Sequence, residues 1–362
     1  MMVIFACANC QQVYPDNGFP SRCPHCGGLF DIQDVLPVAM PGDSRKPGIW
    51  EWGEALGVPA GAPIISLGEG NTPCVPADWN GKPVHLKLES QNPTGSYKDR
   101  GSATTVSWLA SRHFTEAVED SSGNAGASFA AYAARAGIHA RVYVPASASG
   151  PKRTQIEMYG SELIPVPGPR SVAAEAVLKE AAQGVPYASH AFLPFGLPGI
   201  ATIAYELVRD LGQVPGTVIA PLGHGGLMLG MLRGFEALLE AHIIPVLPAL
   251  VGVQAAACAP YVIAGGSPKQ DGLELDGQTV AEGVRVREPS RLEALQHALR
   301  APAGDVIAIP EVEILPARAE LARQGFYVEP TSALAWSALK YIHTWTEPVA
   351  VIITGSGYKN QN

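Results

Sequence analysis

Short apolar runs alternate with longer alanine-rich stretches through most of the chain beyond residue 64. The apolar runs have the length and composition of buried strands, which we predict at 84–88, 140–144, 162–166, 217–220, 249–253, 306–309 and 349–354. The alanine-rich stretches are typical of helices, which we predict at 125–136, 152–159, 172–183, 199–211, 227–241, 311–324 and 332–343. This alternation predicts an α/β fold with mostly parallel sheets covered by helices on both faces.

The first 36 residues follow a different pattern, rich in turn residues and carrying two Cys-x2-Cys pairs. Such pairs bring four thiolates to one tetrahedral zinc ion, and with no open position the site is structural. The predicted ligands are Cys7, Cys10, Cys23 and Cys26. Disulfides or free thiols are the alternatives, but the chain start lacks the basic region and long apolar core of an export signal. We predict a zinc ribbon at 1–36, a proline-rich linker at 37–63 and the α/β body at 64–362.

The composition and charge of the chain limit the kinds of partner that the protein can bind. The chain has 362 residues, 47% of them hydrophobic, and a formal charge of -8 with no basic run longer than two residues. These values predict a soluble globular protein that binds neither nucleic acid nor an anionic membrane surface, and the lack of an export signal predicts a cytoplasmic location. The long uncharged stretch at 241–267 is interrupted by prolines and a glycine, so we predict a buried strand and a short helix there rather than a membrane span.

One lysine stands where a loop turns into a helix. Asn92-Pro93-Thr94-Gly95 is rich in turn formers, and Ser96-x-x-Asp99 has the spacing of a capping box, which predicts a helix start near Ser96. Lys98 then lies in the first turn, where the helix dipole lowers the cost of holding its amine neutral. A neutral amine can form an imine with an aldehyde. The alternative is a solvated charged face.

Three further turns follow apolar stretches. Ser121-Ser122-Gly123-Asn124 offers hydroxyls and free amides at a helix start, which suit a carboxylate or a polar ring substituent, or a simple cap. The segment Gly223-His224-Gly225-Gly226-Leu227, called the glycine turn below, has the amides of a phosphate cradle but not the spacing of a nucleotide-binding loop. Thr354 follows the last strand, where its hydroxyl can face a ring nitrogen or close a β-turn.

Pyridoxal phosphate bound as an imine would use all four of these features: the lysine, the asparagine-bearing turn, the phosphate cradle and the hydroxyl. Over about residues 65–359 the sequence resembles the fold-type-II, tryptophan-synthase-β-like pyridoxal-phosphate enzymes and, within them, the threonine synthases. The resemblance includes the stretches Leu-Gly-Glu-Gly-Asn-Thr-Pro at 67–73 and Glu-Pro-Thr-Ser-Ala at 329–333. Some archaeal and bacterial threonine synthases also carry a cysteine-pair segment in front of this body.

The resemblance implies a fold of two lobes, each with a mostly parallel sheet flanked by helices. The smaller lobe, about 95–190, would be inserted in a larger lobe made of 64–94 and 191–362. It also implies a homodimer. The substrate would be a small amino acid, O-phospho-L-homoserine, from which the enzyme removes phosphate and to which it adds water, giving L-threonine.

Residue roles follow from the same resemblance. Lys98 resembles the Schiff-base lysine and main proton carrier, Asn124 the partner of the cofactor's phenolic oxygen, and Thr354 the partner of its pyridine nitrogen. The cofactor's phosphate would bind Gly223, His224, Gly225, Gly226 and Leu227. The substrate's carboxylate would bind Ser121, Ser122, Gly123 and Ala125.

Two departures from the family leave the substrate open. Threonine synthases place a phosphate-binding arginine in the segment equivalent to 195–202, which here contains no basic residue. Lys152 and Arg153 are the candidate replacements, helped by the hydroxyls of Thr94 and Ser96, although a basic pair can also be a solvated helix start.

The second departure lies at 279–284, which is more similar to threonine and serine dehydratases, so Glu282 either faces the active site or caps a turn. The alternatives are therefore a β-elimination or β-replacement enzyme, dehydratase-like or cysteate-synthase-like, and a non-catalytic binding protein.

Overall fold

The computed structural model describes residues 3–38, 40, 46–146, 150–168, 170–265, 272–300 and 304–360. Parts of the predicted linker, at 39 and 41–45, and the end of the uncharged stretch, at 266–267, lie outside these residues. The described strands are β1 (Phe5–Cys7), β2 (Phe30–Ile32), β3 (Cys74–Trp79), β4 (Lys82–Lys87), β5 (Glu116–Glu119), β6 (His139–Pro145), β7 (Glu162–Val166), β8 (Thr217–Pro221), β9 (Ala249–Ala255), β10 (Asp305–Ile309) and β11 (Val349–Ile352). The described α-helices are α1 (Lys98–Ser111), α2 (Asn124–Ala136), α3 (Pro151–Met158), α4 (Arg170–Ala182), α5 (Gly196–Leu211), α6 (Gly226–Glu240), α7 (Pro260–Ala264), α8 (Leu292–Ala298), α9 (Glu311–Arg323) and α10 (Pro330–Ser337).

The chain divides into two compact units. Unit 1 comprises Met1–Gly70, Asn92–Thr202 and Asn360–Asn362, and unit 2 comprises Asn71–Gln91 and Ile203–Lys359. Helix α5 begins in unit 1 and continues into unit 2. The finer sequence-based division into ribbon, linker and two lobes stays a prediction.

Unit 1 contains a parallel three-stranded sheet in the order β5-β6-β7 and the antiparallel pair β1-β2. Its sheet packs against α4 around a core that includes Val118, Tyr143, Ala173, Val177 and Tyr187. Helices α1 and α2 pack against each other, and α2 in turn contacts β6 and α3.

Unit 2 contains a six-stranded sheet in the order β10-β9-β8-β11-β4-β3, parallel except for the edge hairpin β3-β4. Strands β8 and β11 at its centre are buried along their whole length, since helices cover the sheet and no face needs polar residues. The predicted α/β class with parallel sheets is confirmed. The described residues contain no helix long and apolar enough to cross a membrane.

Sequence patterns missed the strands β2, β3 and β5. β3 contains Pro76 and Asp78 and is only partly buried because it lies at the sheet edge, where proline is tolerated. β5 is bounded by Glu116 and Glu119, and β2 has an aspartate at its centre. The helix predicted at 332–343 is shorter in the structure: α10 ends at Ser337, and a 3-10 helix follows at Ala338–Lys340.

Candidate active site

The lysine loop, Asn92–Tyr97, leads into α1, whose first residue is Lys98. The predicted capping box is wrong: Tyr97 occupies the cap position without a side-chain hydrogen bond. The Asp99 carboxylate instead accepts hydrogen bonds from the Thr94 amide (2.6 Å) and the Thr94 hydroxyl (2.5 Å). It also accepts one from Ser128 of α2 (2.6 Å). The carboxylate thus binds the loop to both helices, which a pattern read along a single helix could not reveal.

The surroundings of Lys98 differ from those of its neighbours. Its Nζ lies 4.9 Å from the centre of the Tyr97 ring, and its side chain is partly exposed, whereas Asp99 and Arg100 are fully buried. Ser96 is also fully buried, and its Oγ has no hydrogen-bond partner among the described residues. An unsatisfied buried hydroxyl costs free energy unless a ligand or water completes it.

A second loop follows the carboxyl end of β5. The Ser121 hydroxyl accepts a hydrogen bond from the Gly123 amide at 3.3 Å, and α2 begins at Asn124 with no side-chain cap. A Cβ at Gly126 would lie 1.7 Å from the Ser121 carbonyl oxygen, so only glycine allows the helix to start this close to the loop. The first amides of α2 have no intrahelical acceptor and can bind an anion.

Beside this loop lie two buried acids that the sequence analysis did not select. Glu119 Oε1 lies 3.0 Å from His190 Nδ1, and Asp120 accepts a hydrogen bond from Tyr187 (2.8 Å). Burial raises the pKa of Glu119 well above its usual value, and the charge of Asp120 raises it further, against the lowering effect of Lys98. Their only sequence signal was two acids preceding a Ser-Ser-Gly-Asn turn.

Helix α3 carries the candidate basic pair. Gln155 donates a hydrogen bond to the Thr94 carbonyl at 3.3 Å, so this face of α3 contacts the lysine loop. Lys152, three residues earlier, belongs to the same helix face. Arg153 is directed along the helix towards Glu157, with 3.6 Å between Nε and Oε1.

The segment without an arginine packs directly on α1. A Cβ at Gly199 would lie 2.1 Å from the Arg100 carbonyl oxygen, and Gly101 and Gly196 approach each other at 3.4 Å by the same measure. Arg100 donates a hydrogen bond to Thr202 at 2.7 Å. The start of α5 is therefore specialised for close backbone packing against the lysine helix.

In unit 2, the glycine turn follows β8 and opens α6, while Thr354 follows the neighbouring parallel strand β11. Both therefore leave the carboxyl edge of the same sheet, where open α/β sheets bind their ligands. Gly225 has φ +95°, and a Cβ there would lie 2.5 Å from Tyr261 Oη. The following amides at the start of α6 lack intrahelical acceptors, which gives the turn the geometry of an anion cradle.

The dehydratase-like stretch lies against this turn. A Cβ at Gly223 would lie 3.0 Å from the Gly283 carbonyl oxygen. The Gly283 amide donates a hydrogen bond to Thr331 Oγ1 at 3.1 Å. Glu282 is exposed and begins a short 3-10 turn. His224 contacts Ser290, with 3.5 Å between Nδ1 and Oγ.

Thr354 belongs to a buried polar cluster. Its hydroxyl donates a hydrogen bond to Glu329 Oε1 at 3.2 Å and lies 3.0 Å from Ser332 Oγ. Ser332 Oγ also accepts a hydrogen bond from the Gly355 amide at 2.9 Å. Glu329 and Ser332 lie in a stretch that the sequence analysis noted for resemblance only, without assigning them a role.

The four cysteines of the amino-terminal segment meet as predicted. Their sulfur atoms all lie within 4.8 Å of one another, and none of the four forms a disulfide. Four sulfurs coordinated to one zinc ion at 2.3 Å would be about 3.8 Å apart, so the cluster could hold such an ion. A Cβ at Gly28 would lie 2.9 Å from Cys7 Sγ, so the second knuckle requires glycine. Desolvation raises the pKa of Cys7, but hydrogen bonds from the Cys10 and Asn9 amides and from the Cys26 and Cys10 side chains together lower that pKa to about 7.

An aromatic cluster within unit 1 joins the cysteine segment to the lysine helix. Phe195 is fully buried, stacks on Trp108 of α1 at 4.3 Å, and makes edge contacts with Phe5 (5.1 Å) and Tyr14 (4.8 Å) of the cysteine segment. Arg112, the residue directly after α1, donates hydrogen bonds to the carbonyls of Pro15 and Gly18. The segment is therefore packed on the helix that begins with Lys98.

Comparison with known proteins identifies the family. The family model described as pyridoxal-phosphate dependent enzyme matches residues 65–355. The chain is 33% identical to threonine synthase of Methanocaldococcus jannaschii, over 98% of this chain and 92% of that protein. It is 34% identical to threonine synthase of Mycobacterium tuberculosis, over 93% and 89%.

Among solved structures, the processed form of threonine deaminase isoform 2 from Solanum lycopersicum superposes with a TM-score of 0.70 at 19% identity, covering 96% of this chain and 94% of that one, which shows a shared fold. Together with the lysine at the start of α1 and the anion cradle at the start of α6, these matches show that the chain belongs to the pyridoxal-phosphate dependent enzyme family.

Proposed function

We propose that this protein is a threonine-synthase-type lyase that converts O-phospho-L-homoserine and water to L-threonine and phosphate. The observation that carries the proposal is the combination of Lys98 at the first position of α1 with a glycine-dependent anion cradle at the first turn of α6. Similarity to threonine synthases over nearly the whole chain supports the substrate.

The residues fit pyridoxal phosphate on structural grounds. The crowding at Gly225 keeps side chains out of the turn, so backbone amides are available to a phosphate group. The buried Ser96 hydroxyl lies two residues before Lys98 and has no hydrogen-bond partner among the described residues, so it can donate to a ligand. When bound, the cofactor supplies an electron sink for carbanions formed on the amino-acid substrate.

The proposed site residues divide the work of binding and catalysis among them. Lys98 would hold the cofactor covalently and move protons between substrate carbons, and Asn124 would bind the cofactor's phenolic oxygen. The cofactor's phosphate would bind the turn from Gly223 to Leu227, and its ring nitrogen Thr354. The substrate's carboxylate would bind the loop from Ser121 to Ala125.

For the substrate's phosphate we propose Lys152 and Ser96. Lys152 shares the face of α3 whose Gln155 contacts the lysine loop, while Arg153 is directed towards Glu157. The hydroxyl proton of Thr94 is already donated to Asp99, so Thr94 is a weaker candidate donor than the sequence suggested. Arg153 would contribute long-range positive charge.

Two experiments test the proposal. Wild-type protein should show a visible absorption band of lysine-bound cofactor and release threonine and inorganic phosphate in equal amounts from O-phosphohomoserine. Lys98→Ala should lose both, whereas Lys340→Ala, which removes an exposed lysine from unit 2, should keep them. A Lys98→Ala protein with an unchanged band would contradict the assignment of the lysine.

One observation favours a second function. At the start of α5, glycines pack closely against α1, whereas threonine synthases have a phosphate-binding arginine in the equivalent segment. A β-elimination or β-replacement enzyme acting on a smaller amino acid, dehydratase-like or cysteate-synthase-like, needs no such arginine. Oxo-acid formation from serine or threonine, with no phosphate release from O-phosphohomoserine, would establish this alternative.

We further propose that the cysteine cluster binds structural zinc, that the enzyme acts in the cytoplasm, and that it is a homodimer. The sulfur spacing supports the zinc site. The family resemblance supports the cytoplasmic location and the homodimer. Metal analysis of purified protein should give one zinc per chain, and sedimentation should give twice the chain mass. Loss of one Cys-x2-Cys pair by Cys10→Ser should abolish zinc binding.

A further inference from the structure

Strand β9 carries one polar side chain among apolar residues. Gln254 is fully buried, and every other residue of β9 is apolar. Its Oε1 atom accepts hydrogen bonds from the Tyr261 amide (2.9 Å) and the Val262 amide (3.3 Å), and its Nε2 atom donates one to the Leu222 carbonyl at 3.4 Å. Only this orientation of the side-chain amide suits all of these partners, because a backbone amide donates and a carbonyl accepts. One side chain therefore connects the residue before the glycine turn with the start of α7.

For α7, Gln254 serves as the cap. The helix begins at Pro260, and Ala259 at its cap position makes no side-chain hydrogen bond. The first amides of a helix have no intrahelical acceptor, and a side-chain oxygen commonly accepts from the second or third of them. Gln254 Oε1 accepts from both, at Tyr261 and Val262. The first turn of α7 is thus held against β9.

Helix α7 in turn places Tyr261 against the glycine turn. Tyr261 Oη donates a hydrogen bond to the His224 carbonyl at 3.3 Å, and a Cβ at Gly225 would lie only 2.5 Å from the same oxygen. Burial raises the pKa of Tyr261, against a lowering effect of the Arg291 charge, so the phenol keeps the proton that it donates. A planar trans peptide directs its carbonyl and its amide to opposite sides, so this hydrogen bond points the Gly225 amide away from Tyr261.

The beginning of the turn is held directly by β9. The Leu222 amide donates a hydrogen bond to the Val253 carbonyl at 2.8 Å, and the Leu222 carbonyl accepts one from Gln254. The Leu222 side chain packs over Gly252, where a Cβ would lie 2.8 Å from Leu222 Cδ2. Because Leu222 immediately precedes the glycine turn, Gln254 acts on the turn from two sides, through Leu222 and through Tyr261.

We propose that Gln254 is a positioning residue for the cofactor's phosphate, and that it acts by holding the glycine turn in its binding conformation. The inference rests on the proposed phosphate role of that turn. Backbone amides bind an anion tightly only when several of them already point at the same place, since ordering them on binding costs free energy. Gln254 therefore contributes to phosphate affinity through Leu222 and Tyr261.

The test compares two aldehydes that differ only in the phosphate group. Pyridoxal phosphate and pyridoxal are each titrated into the full-length protein freed of cofactor, and the visible band of the lysine-bound imine reports binding. Gln254→Met keeps nearly the same shape and removes the hydrogen bonds of the amide group, so the affinity for pyridoxal phosphate should fall at least about tenfold. The affinity for pyridoxal should stay unchanged, because the imine with Lys98 does not use the glycine turn.

The matched control is Thr217→Val in the neighbouring strand β8. Thr217 is also buried, and its Oγ1 accepts the Thr346 amide at 3.0 Å, but it lies at the amino end of β8, whereas the glycine turn follows the carboxyl end. This variant should lower stability and keep the affinity for both aldehydes. A selective loss of pyridoxal phosphate in Thr217→Val as large as that in Gln254→Met would show that general weakening of the sheet is the cause, and would overturn the inference.

No loss in Gln254→Met, or equal losses for the two aldehydes, would also overturn the inference and would leave the proposed function intact. If Gln254→Met does not fold, Tyr261→Phe decides in its place: it removes the hydrogen bond to His224 and should weaken the binding of pyridoxal phosphate alone, and unchanged affinities would overturn the inference. Wild-type protein that binds the two aldehydes equally well would overturn the phosphate role of the turn, and this inference with it.

Discussion

At the scale of single residues, the glycine turn depends most on Gly225. An alanine there would adopt an unfavourable left-handed conformation and place its Cβ against Tyr261 Oη. We expect Gly225→Ala to weaken cofactor binding at least about tenfold, equivalent to about 1.4 kcal/mol, as measured by titrating the visible band.

Two variants make that measurement specific. Tyr261→Phe in the Gly225→Ala background removes the clashing oxygen and should recover part of the affinity. Gly325→Ala carries the same backbone strain at φ +94° in open space, so it should lower stability while leaving cofactor affinity unchanged. Equal loss of affinity in both alanine variants would contradict the role of the turn.

A buried lysine in unit 2 illustrates how charge is tolerated in the core. Lys87 Nζ contacts Glu206 (2.7 Å), Asp210 (2.9 Å) and the Thr72 carbonyl (2.7 Å), and Glu206 also accepts the Asn71 amide proton. Lys87→Met removes the cation and leaves the buried carboxylate, so the free energy of unfolding should fall by about 3–5 kcal/mol.

Urea unfolding measures this loss. Lys340→Met breaks a surface pair with Glu313 and should cost less than about 1 kcal/mol. Adding Glu206→Gln to Lys87→Met should recover stability. A Lys87→Met protein as stable as Lys340→Met would show that the buried cation contributes nothing.

At the scale of elements, the cysteine segment and the lysine helix meet through Phe195. Phe195→Ala leaves a cavity between Trp108, Phe5 and Tyr14, with an expected cost of about 3–5 kcal/mol. We also expect the variant to release zinc to a chelator faster than wild type, because the aromatic contacts hold the segment in place.

The matched control is Phe129→Ala, in the buried face of α2. It should lower stability by a similar amount without changing the rate of zinc release. Identical release rates in both variants and the wild type would contradict a role for Phe195 in holding the segment.

Element prediction succeeded where apolar runs are long and failed where they are short. β8, β9 and β11 lie in the interior of the unit 2 sheet and are apolar except for Thr217 and Gln254, so their patterns are easily recognised. The apolar run of β3 is interrupted by Pro76 and Asp78, and the four-residue β5 is bounded by Glu116 and Glu119. Their extended conformation comes from pairing with the neighbouring strands β4 and β6, which the residues of β3 and β5 do not encode by themselves.

At the scale of the whole molecule, the stability of the protein should depend on pH through Glu119. Burial, with Asp120 adding to it, raises the pKa of Glu119 well above the ordinary 4.5, so the folded protein keeps a proton that the unfolded chain releases. The stabilisation from this group is complete below pH 4.5 and is lost as pH rises through the folded pKa.

Glu119→Gln removes that titration. Between about pH 5 and about pH 8, its free energy of unfolding should fall less than that of wild type, as followed by urea unfolding. Glu116→Gln, at the exposed end of the same strand, should keep the wild-type dependence on pH. An unchanged slope in Glu119→Gln would contradict the raised pKa.

The sequence by itself determined the fold class, the cysteine cluster and the segments that carry the candidate chemistry. These depend on local signals: apolar runs, paired Cys-x2-Cys motifs, and glycines and a lysine at helix starts. A short motif determines its own local geometry, which is why the glycine turn and the first turn of α1 lie where the pattern predicted.

Only the tertiary structure decided which side chains satisfy one another. Asp99 binds Thr94 and Ser128 rather than capping with Ser96, and Glu329 binds Thr354, 25 residues away along the chain. A buried carboxylate takes whichever donors the fold brings within about 3 Å. Sequence spacing limits those donors only within one helix or turn, so partners from other elements could be found only once the chain was folded.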